Sequence, residues 1–180
     1  MKTKSIIITG LFTAIICVFS VITITIGPVP ITLSLFAVFL SAVMLGWKKG
    51  CLAVLVYILC GAIGLPVFSG LKGGISILFG PTGGYIIGYI FIALIVGLTA
   101  ERAKKLSAAK KYALTFAASF TALLICYAFG TAQYIFITKN PLNYALAACV
   151  YPFVAFDIIK IIIAVLLGFI IKSRIKNIDL

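Results

Sequence analysis

The chain contains no histidine and only three acidic residues, Glu101, Asp157 and Asp179. General acid–base chemistry most often uses histidine or a pair of carboxylates, and most zinc sites include histidine or clustered cysteine. The five cysteines are scattered singly through apolar stretches, which is typical of small packing residues rather than metal ligands. These absences exclude most hydrolytic mechanisms and predict a protein that is not an enzyme and holds no metal.

Charged residues as a whole are scarce. They make up 10% of the 180 residues, whereas 64% are hydrophobic and the mean hydropathy is +1.31. Such a composition lies far outside the range of soluble domains and is typical of integral membrane proteins. We therefore predict a single transmembrane domain over residues 1–180.

The apolar residues fall into six runs, each long enough to cross a hydrocarbon core of about 30 Å as a helix. The predicted fold is all-α, with six transmembrane helices and a glycine-rich outer loop between the third and the fourth. The runs cover approximately residues 6–26, 31–47, 51–68, 81–99, 112–137 and 144–171.

The net charge is +12, and the positions of the basic residues along the chain indicate the membrane topology. Basic clusters flank alternate runs, which places twelve Lys and Arg residues on one side of the membrane and only Lys72 and Lys139 on the other. Because basic loops stay in the cytoplasm, both termini are predicted to be cytoplasmic. No basic face with interleaved aromatic residues is present, so nucleic acid is not an expected partner.

The last run holds two opposite charges inside an apolar stretch, Asp157 and Lys160. Side chains three residues apart lie on one face of a helix. Pro152 divides the run, and a sixth helix over residues 152–171 would hold the pair about 8–12 Å below its outer end. Because a charge in hydrocarbon costs at least about 2.5–3.5 kcal/mol, the pair predicts a ligand or transport site. The alternative is an ion pair that serves only packing.

Residues 69–85 contain six glycines and are too apolar for a solvated linker and too broken for a membrane span. Glycine lets backbone NH groups approach a ligand closely, so we predict a lid or re-entrant stretch over the ion pair. A flexible outer loop is the alternative. A nucleotide-binding loop is excluded, because no Lys-Ser or Lys-Thr follows the final glycine. Lid and ion pair together describe capture of a small polar molecule from outside.

One face of the first run carries small residues four apart, Gly10 and Ala14. Small residues at this spacing allow another helix to approach closely. The approaching helix belongs either to this chain or to another subunit, and the residues alone favour internal packing.

Four motifs occur in order along the chain: Pro-Val-Pro-Ile-Thr at 28–32, Gly-Leu-Pro-Val-Phe-Ser-Gly at 64–70, Gly-Pro-Thr-Gly-Gly-Tyr at 80–85, and Pro-Phe followed by Asp-Ile-Ile-Lys within 152–160. In this order and spacing they resemble BioY, the family of biotin-specific substrate-binding subunits of energy-coupling-factor (ECF) transporters. The resemblance extends from the first run to the last. It implies six helices, high-affinity capture of biotin, and a location in a bacterial or archaeal cytoplasmic membrane.

The resemblance also implies partners and site residues. It implies docking onto a transmembrane coupling subunit that carries two ATPase subunits, with Gly10 and Ala14 at the contact. The sequence has no Walker motif, so ATP would act only through those partners, and no cofactor is expected in this chain. The biotin-binding residues that we predict are Asp157, Lys160, Lys72, Gly83, Gly84, Tyr85 and Tyr151. Lys72 departs from the family, in which neutral or amide side chains are more usual in this loop.

The spacing of the ion pair predicts which end of biotin it binds. Side chains three apart on a helix stand only about 5–6 Å apart at Cβ, whereas the ureido ring and the carboxylate lie at opposite ends of biotin. The ureido ring is one compact group whose NH donors and carbonyl acceptor match a carboxylate beside an ammonium. The carboxylate of biotin would then point outward, toward Lys72 or NH groups of the glycine-rich segment.

Three other functions stay open from the residues alone. The same architecture serves other vitamins, since a fold does not fix its substrate. An autonomous ion-coupled transporter would use Asp157 as its proton carrier. An intramembrane enzyme is the least favoured, because one carboxylate and one lysine supply no recognisable set of nucleophile, base and oxyanion donors.

Overall fold

The computed structural model describes residues 3–24 and 29–174. Gly27 and Pro28 of the predicted external turn lie outside the described residues, as do both chain ends. Two short strands, β1 (Thr23–Ile24) and β2 (Ile31–Thr32), pair antiparallel between the first two helices. The helices are α1 (Thr3–Val21), α2 (Ser34–Ala62), α3 (Ile75–Leu78), α4 (Gly83–Arg102), α5 (Ala108–Thr138), α6 (Leu142–Cys149) and α7 (Tyr151–Arg174), with a 3-10 turn at Ala103–Lys105.

Five of the described helices are long and apolar enough to cross a membrane: α1, α2, α4 with the turn that follows it, α5 and α7. Large apolar side chains such as Ile7, Leu59 and Phe136 are exposed on their outer surfaces, where hydrocarbon would surround them. The prediction of a largely helical, multi-pass membrane protein is confirmed. The six predicted runs form five such helices, because the second and third runs belong to one element.

That element, α2, is broken at Gly46, whose φ of 76° and ψ of −177° form a conformation that is almost restricted to glycine. The halves fold back on each other, because a Cβ placed on Gly50 would lie 3.4 Å from the Cα of Ala42. Eight residues of straight helix would separate these positions by about 12 Å. The Nζ of Lys172 donates to the carbonyl of Val43 at 2.8 Å, near the end of the first half, where helical carbonyls lack partners.

Two predicted boundaries are wrong. The third predicted span, 51–68, ends at Ala62 in the structure, because Gly64 adopts a φ of 106° and Pro66 disfavours a helical conformation at the residue before it. The last predicted run, 144–171, is divided as expected, but at Val150 rather than at Pro152, into α6 and α7. The sixth helix was expected to start at Pro152, but α7 starts at Tyr151, and Pro152 lies in its first turn, where no NH group is needed.

Helix α4 lies at the centre of the bundle, packed between α2 and α5. Its residues Ile92, Ala93 and Val96 are completely buried. In the most apolar stretch of α4, 56% of the residues are buried, against 28% in α1, which packs mainly on α2. α1 is therefore the least enclosed of the five long helices.

The two ends of the bundle differ in chemistry. One end, called the basic end, holds the start of α1, the break in α2, the α4–α5 connection and the end of α7, together with most of the described Lys and Arg residues. The opposite end, called the cavity end, holds the described residues 22–24 and 29–33 of the first connection and the connections at residues 63–82 and 139–150. An internal cavity lies beneath the first two of these connections.

Replacing Gly46 by alanine is expected to destabilise the protein. A side chain at a φ of 76° costs about 1–3 kcal/mol in strain, and the Cβ would collide with the carboxylate of Glu101. We expect thermal unfolding in detergent to occur at least about 3 °C lower for Gly46→Ala than for the wild type. Gly10→Ala is the matched control, because a Cβ there meets nothing within 4 Å. Equal unfolding temperatures for Gly46→Ala and the wild type would show that the break is not held in this conformation.

Candidate functional site

The ion pair lies on α7 inside the bundle. Nζ of Lys160 donates to Oδ1 of Asp157 at 2.8 Å, as the three-residue spacing predicts. Asp157 is 2% exposed and Lys160 is 8% exposed, so the protein encloses nearly all of both side chains. A pair buried so deeply needs further hydrogen bonds to offset the loss of hydration.

Two other elements supply those hydrogen bonds. The hydroxyl of Tyr127 on α5 donates to Oδ2 of Asp157 at 2.6 Å. Lys160 donates a second hydrogen bond, 2.8 Å long, to the carbonyl of Thr32 on β2. The carboxylate therefore has a partner at each oxygen, and the ammonium has used two of its three donors. One NH of Lys160 and the remaining lone pairs of Asp157 are left for a ligand.

The ion pair lines a cavity of about 500 Å³, a volume within the usual range of small-molecule sites. Its polar lining residues are Ser20, Thr32, Ser34, Tyr57, Ser69, Lys72, Ser76, Thr82, Tyr85, Tyr89, Tyr127, Asp157 and Lys160. Its apolar lining residues include Val29, Pro30, Leu35, Phe68, Ile77, Pro81, Ile86 and Phe153. Apolar walls around a few fixed polar groups are typical of a binding site for an amphipathic small molecule.

Several hydroxyl groups of the cavity lining bond to each other. Ser20 and Tyr57 share a hydrogen bond of 2.7 Å. Ser34 shares one of 2.5 Å with Thr32 and one of 2.7 Å with Tyr89. Within the described residues, every buried side-chain nitrogen or oxygen has a partner. The hydroxyls are thus held in fixed positions, which leaves the ion pair as the strongest polar feature of the inner part of the cavity.

Residues 63–82 cover the cavity and are tied down on both sides. Phe68 and Lys72 form an antiparallel bridge, and Phe68 is buried edge-on against the ring of Tyr57 at 5.5 Å. On the other side, Nε2 of Gln133 on α5 donates to the carbonyls of Leu78 and Gly80, each at 2.8 Å. The segment therefore forms an ordered roof with its own short helix, α3.

The structure brings four of the predicted site residues together around the cavity: Asp157, Lys160, Lys72 and Tyr85. The hydroxyl of Tyr85 donates to the carbonyl of Cys149 at 3.1 Å.

The other three predicted residues do not line the cavity. Gly83 and Gly84 are buried in the first turn of α4, where their lack of a side chain lets the backbone contact the carbonyls of Leu78 and Phe129. Tyr151 is 67% exposed on the first turn of α7.

Two residues that contact the ion pair escaped sequence reasoning. Tyr127 reads as an aromatic anchor at the membrane interface, and only its distance to Asp157 in the structure reveals its role. Thr32 acts through its backbone carbonyl, which carries no sequence signal at all. Tyr57, Phe68 and Tyr89 also line the cavity, and none of them was predicted as a site residue.

The predicted small-residue face of α1 is directed outward. Gly10 and Ala14 are exposed, and a Cβ on Gly10 would meet nothing within 4 Å. Thr9 and Thr13, beside them in the sequence, are instead buried, and Thr13 donates to the carbonyl of Ala53 on α2 at 3.2 Å. In the described part of the chain, internal packing therefore uses the threonine side of α1 and leaves the Gly10–Ala14 side uncovered.

Comparison with known proteins gives consistent results. A model of the BioY family matches residues 1–177. The biotin transporter BioY of Thermotoga maritima is 43% identical over 170 residues, which cover 94% of this chain and 96% of that protein. The probable biotin transporter BioY of Pyrococcus horikoshii is 37% identical over 171 residues, covering 93% of this chain and 96% of that protein.

A solved structure agrees with the sequence matches. The crystal structure of the S-component for biotin from an ECF-type ABC transporter superposes with a TM-score of 0.82 at 25% identity, and the match covers 96% of this chain and 92% of that one. The fold, the buried ion pair and relatives aligned over nearly the whole length all lead to one assignment. This chain belongs to the BioY family.

Proposed function

We propose that this chain captures biotin in the cavity at the Asp157–Lys160 pair and serves as the substrate-binding subunit of an ECF-type transporter. The observation that carries the proposal is a satisfied, buried ion pair in a cavity of about 500 Å³, in a chain similar from end to end to biotin transporters. The structural match to an S-component for biotin supports the same function.

The ureido ring of biotin fits the ion pair better than the carboxylate does. Asp157 accepts hydrogen bonds and Lys160 donates them within one small area, since their charged groups are 2.8 Å apart. The ureido group presents NH donors next to a carbonyl acceptor, which complements both charges at once. A carboxylate at the same place would gain from Lys160 but would be repelled by Asp157. The inner end of the cavity therefore holds the ring system.

The contacts around the pair prepare it for this ligand. Tyr127 and Thr32 orient the two charged side chains before biotin enters, so little ordering is left to occur on binding. The ring system of biotin is largely apolar apart from its ureido group, and Leu35, Ile86 and Phe153 supply an apolar surface for it. Affinity then comes from a few charge-assisted hydrogen bonds inside an apolar enclosure.

Charge distribution and the break in α2 support a specific topology. If the halves of α2 cross the membrane separately, the single domain has six crossings, and the basic end faces the cytoplasm with both termini. The cavity end, which carries Lys72 and Lys139, then faces outward. Such an orientation presents the cavity to biotin outside a bacterial or archaeal cytoplasmic membrane.

ATP-driven uptake would require nucleotide-binding partners, because the sequence has no Walker motif. We propose a transmembrane coupling subunit with two ATPase subunits as those partners. The exposed Gly10–Ala14 side of α1 is the surface offered to the coupling subunit, since its small residues permit close helix packing.

Replacing Asp157 by asparagine is expected to weaken biotin binding about ten- to 150-fold. Asparagine keeps the shape but removes a charged hydrogen bond of about 1.5–3 kcal/mol. Binding is measured by calorimetry on purified protein in detergent. Glu101→Gln is the matched control, because it neutralises a carboxylate at the basic end of the bundle.

A second variant separates binding from folding. Asp157→Asn combined with Lys160→Met removes both charges, so it leaves no unpaired ammonium in the core. We expect this double variant to be at least as thermally stable as Asp157→Asn alone and still to bind biotin poorly. Wild-type affinity in either variant would rule out the ion pair as the biotin site.

Gly10→Leu or Ala14→Leu is expected to abolish uptake of biotin into cells while leaving its binding nearly unchanged. A leucine would keep a partner helix at a distance but lies on the outer surface, away from the cavity. Uptake of labelled biotin and calorimetry on the same variants provide the two readouts, with Ala117→Leu, at an exposed position of α5, as the control. Loss of binding together with uptake would mean that this side of α1 packs internally.

A further inference from the structure

Close packing of α4 against α5 depends on glycine. A Cβ on Gly88 of α4 would overlap Cys126 of α5, and a Cβ on Gly130 of α5 would overlap the aromatic ring of Tyr85 on α4. Gly130 is buried, and the three atoms nearest to its added Cβ all belong to that ring. The missing side chain at Gly130 therefore leaves room for one group, the ring of Tyr85.

The side chain of Tyr85 is held at both ends. Its backbone NH donates to the carbonyl of Thr82 at 3.2 Å, at the start of α4. Its hydroxyl donates to the carbonyl of Cys149 at 3.1 Å and shares a hydrogen bond of 3.4 Å with the hydroxyl of Thr131. Because Tyr85 also lines the cavity, the cavity is the space into which its ring can move when α5 pushes on it.

The depth of this ring in the cavity follows from its place along α5. Gly130 lies three residues beyond Tyr127, whose hydroxyl donates to Asp157. A rise of 1.5 Å per residue puts Gly130 about 4.5 Å closer to the cavity end than Tyr127. The ring of Tyr85 therefore borders the cavity between the ion pair and the roof.

We infer that Gly130 is a positioning residue that sets the width of the cavity through Tyr85 and so selects for a ligand with two fused rings. The inference rests on the proposed function, in which the ureido ring lies at the ion pair. The sulfur-containing ring of biotin then lies at the level of Tyr85, which rests against Gly130 and leaves space for it. A side chain on α5 at this position would push the tyrosine ring into that space. The narrower cavity would favour a ligand that has the ureido ring alone.

Biotin and desthiobiotin together measure this width. Both carry the ureido ring and a chain that ends in a carboxylate, but desthiobiotin lacks the sulfur atom that closes the second ring. One methylene more or less in an apolar pocket changes affinity about 10- to 200-fold. We expect Gly130→Ala to weaken biotin at least about ten-fold and desthiobiotin less than about three-fold, in calorimetry on the purified full chain. The ratio of the two affinities is the readout, because a general loss of structure would lower both.

Two further variants separate the ring from helix packing. In a Tyr85→Ala background there is no ring to displace, so adding Gly130→Ala should change the affinity ratio less than about two-fold. Ala132→Val is the control, because it enlarges an exposed side chain of the same helix, and it should change neither affinity. If Tyr85→Ala binds neither ligand, the ratio in Gly130→Ala alone decides. If Gly130→Ala does not fold, the double variant decides, because removal of the ring should restore folding.

The outcomes are distinct. Equal losses for biotin and desthiobiotin in Gly130→Ala would overturn the inference, because the substitution would then act by moving α5 away from α4. Unchanged affinities would also overturn it, as would a shift of the ratio that persists without the ring of Tyr85 or a double variant that does not fold. If the wild type bound neither ligand, the proposed function itself would fail, and this inference with it.

Discussion

The arrangement of the bundle depends on placing one carboxylate and one ammonium inside an apolar helix without leaving either group unsatisfied. Asp157 and Lys160 neutralise each other, but two charges out of water also need hydrogen bonds at their remaining positions. Tyr127 on α5 and the Thr32 carbonyl on β2 supply these bonds, so three separate parts of the chain must converge at one point. The groups that bond to the ion pair also form the inner end of the cavity.

The rest of the site follows from that convergence. The strand pair before α2 has to lie close to α7, and residues 63–82 close the opening that is left above. The roof is held by buried Phe68 on one side and by Gln133 on the other, while the backbone contacts of Gly83 and Gly84 bring α4 close to the roof and to α5. Glycine at these two positions serves helix packing, and the side chains that face the cavity come from other residues of the same segment.

Local sequence patterns predicted the membrane class, the helical content and the ion pair, because each depends on composition or on spacing within one helix. Contacts between distant segments could not be predicted from such local patterns. Asp157 and Tyr127 are 30 residues apart in the chain, and Lys160 and Thr32 are 128 apart. The predicted spans 31–47 and 51–68 left a loop at residues 48–50, whereas the break in α2 is at Gly46, which alone within this helix leaves the helical conformation. The residues alone favoured internal packing for Gly10 and Ala14, whereas both are exposed in the structure. Small residues at this spacing show that a helix can approach closely, but not which helix it is.

The central claim is that the ion pair recognises the ureido ring. Lipoic acid tests it directly, because it carries the same five-carbon acid chain as biotin but a disulfide ring in place of the ureido group. Calorimetry on the purified wild-type chain should give at least about 100-fold weaker binding of lipoic acid than of biotin, since Asp157 and Lys160 would be left without partners in the ligand. Comparable affinities for the two acids would contradict the account, because the acid chain alone would then explain binding.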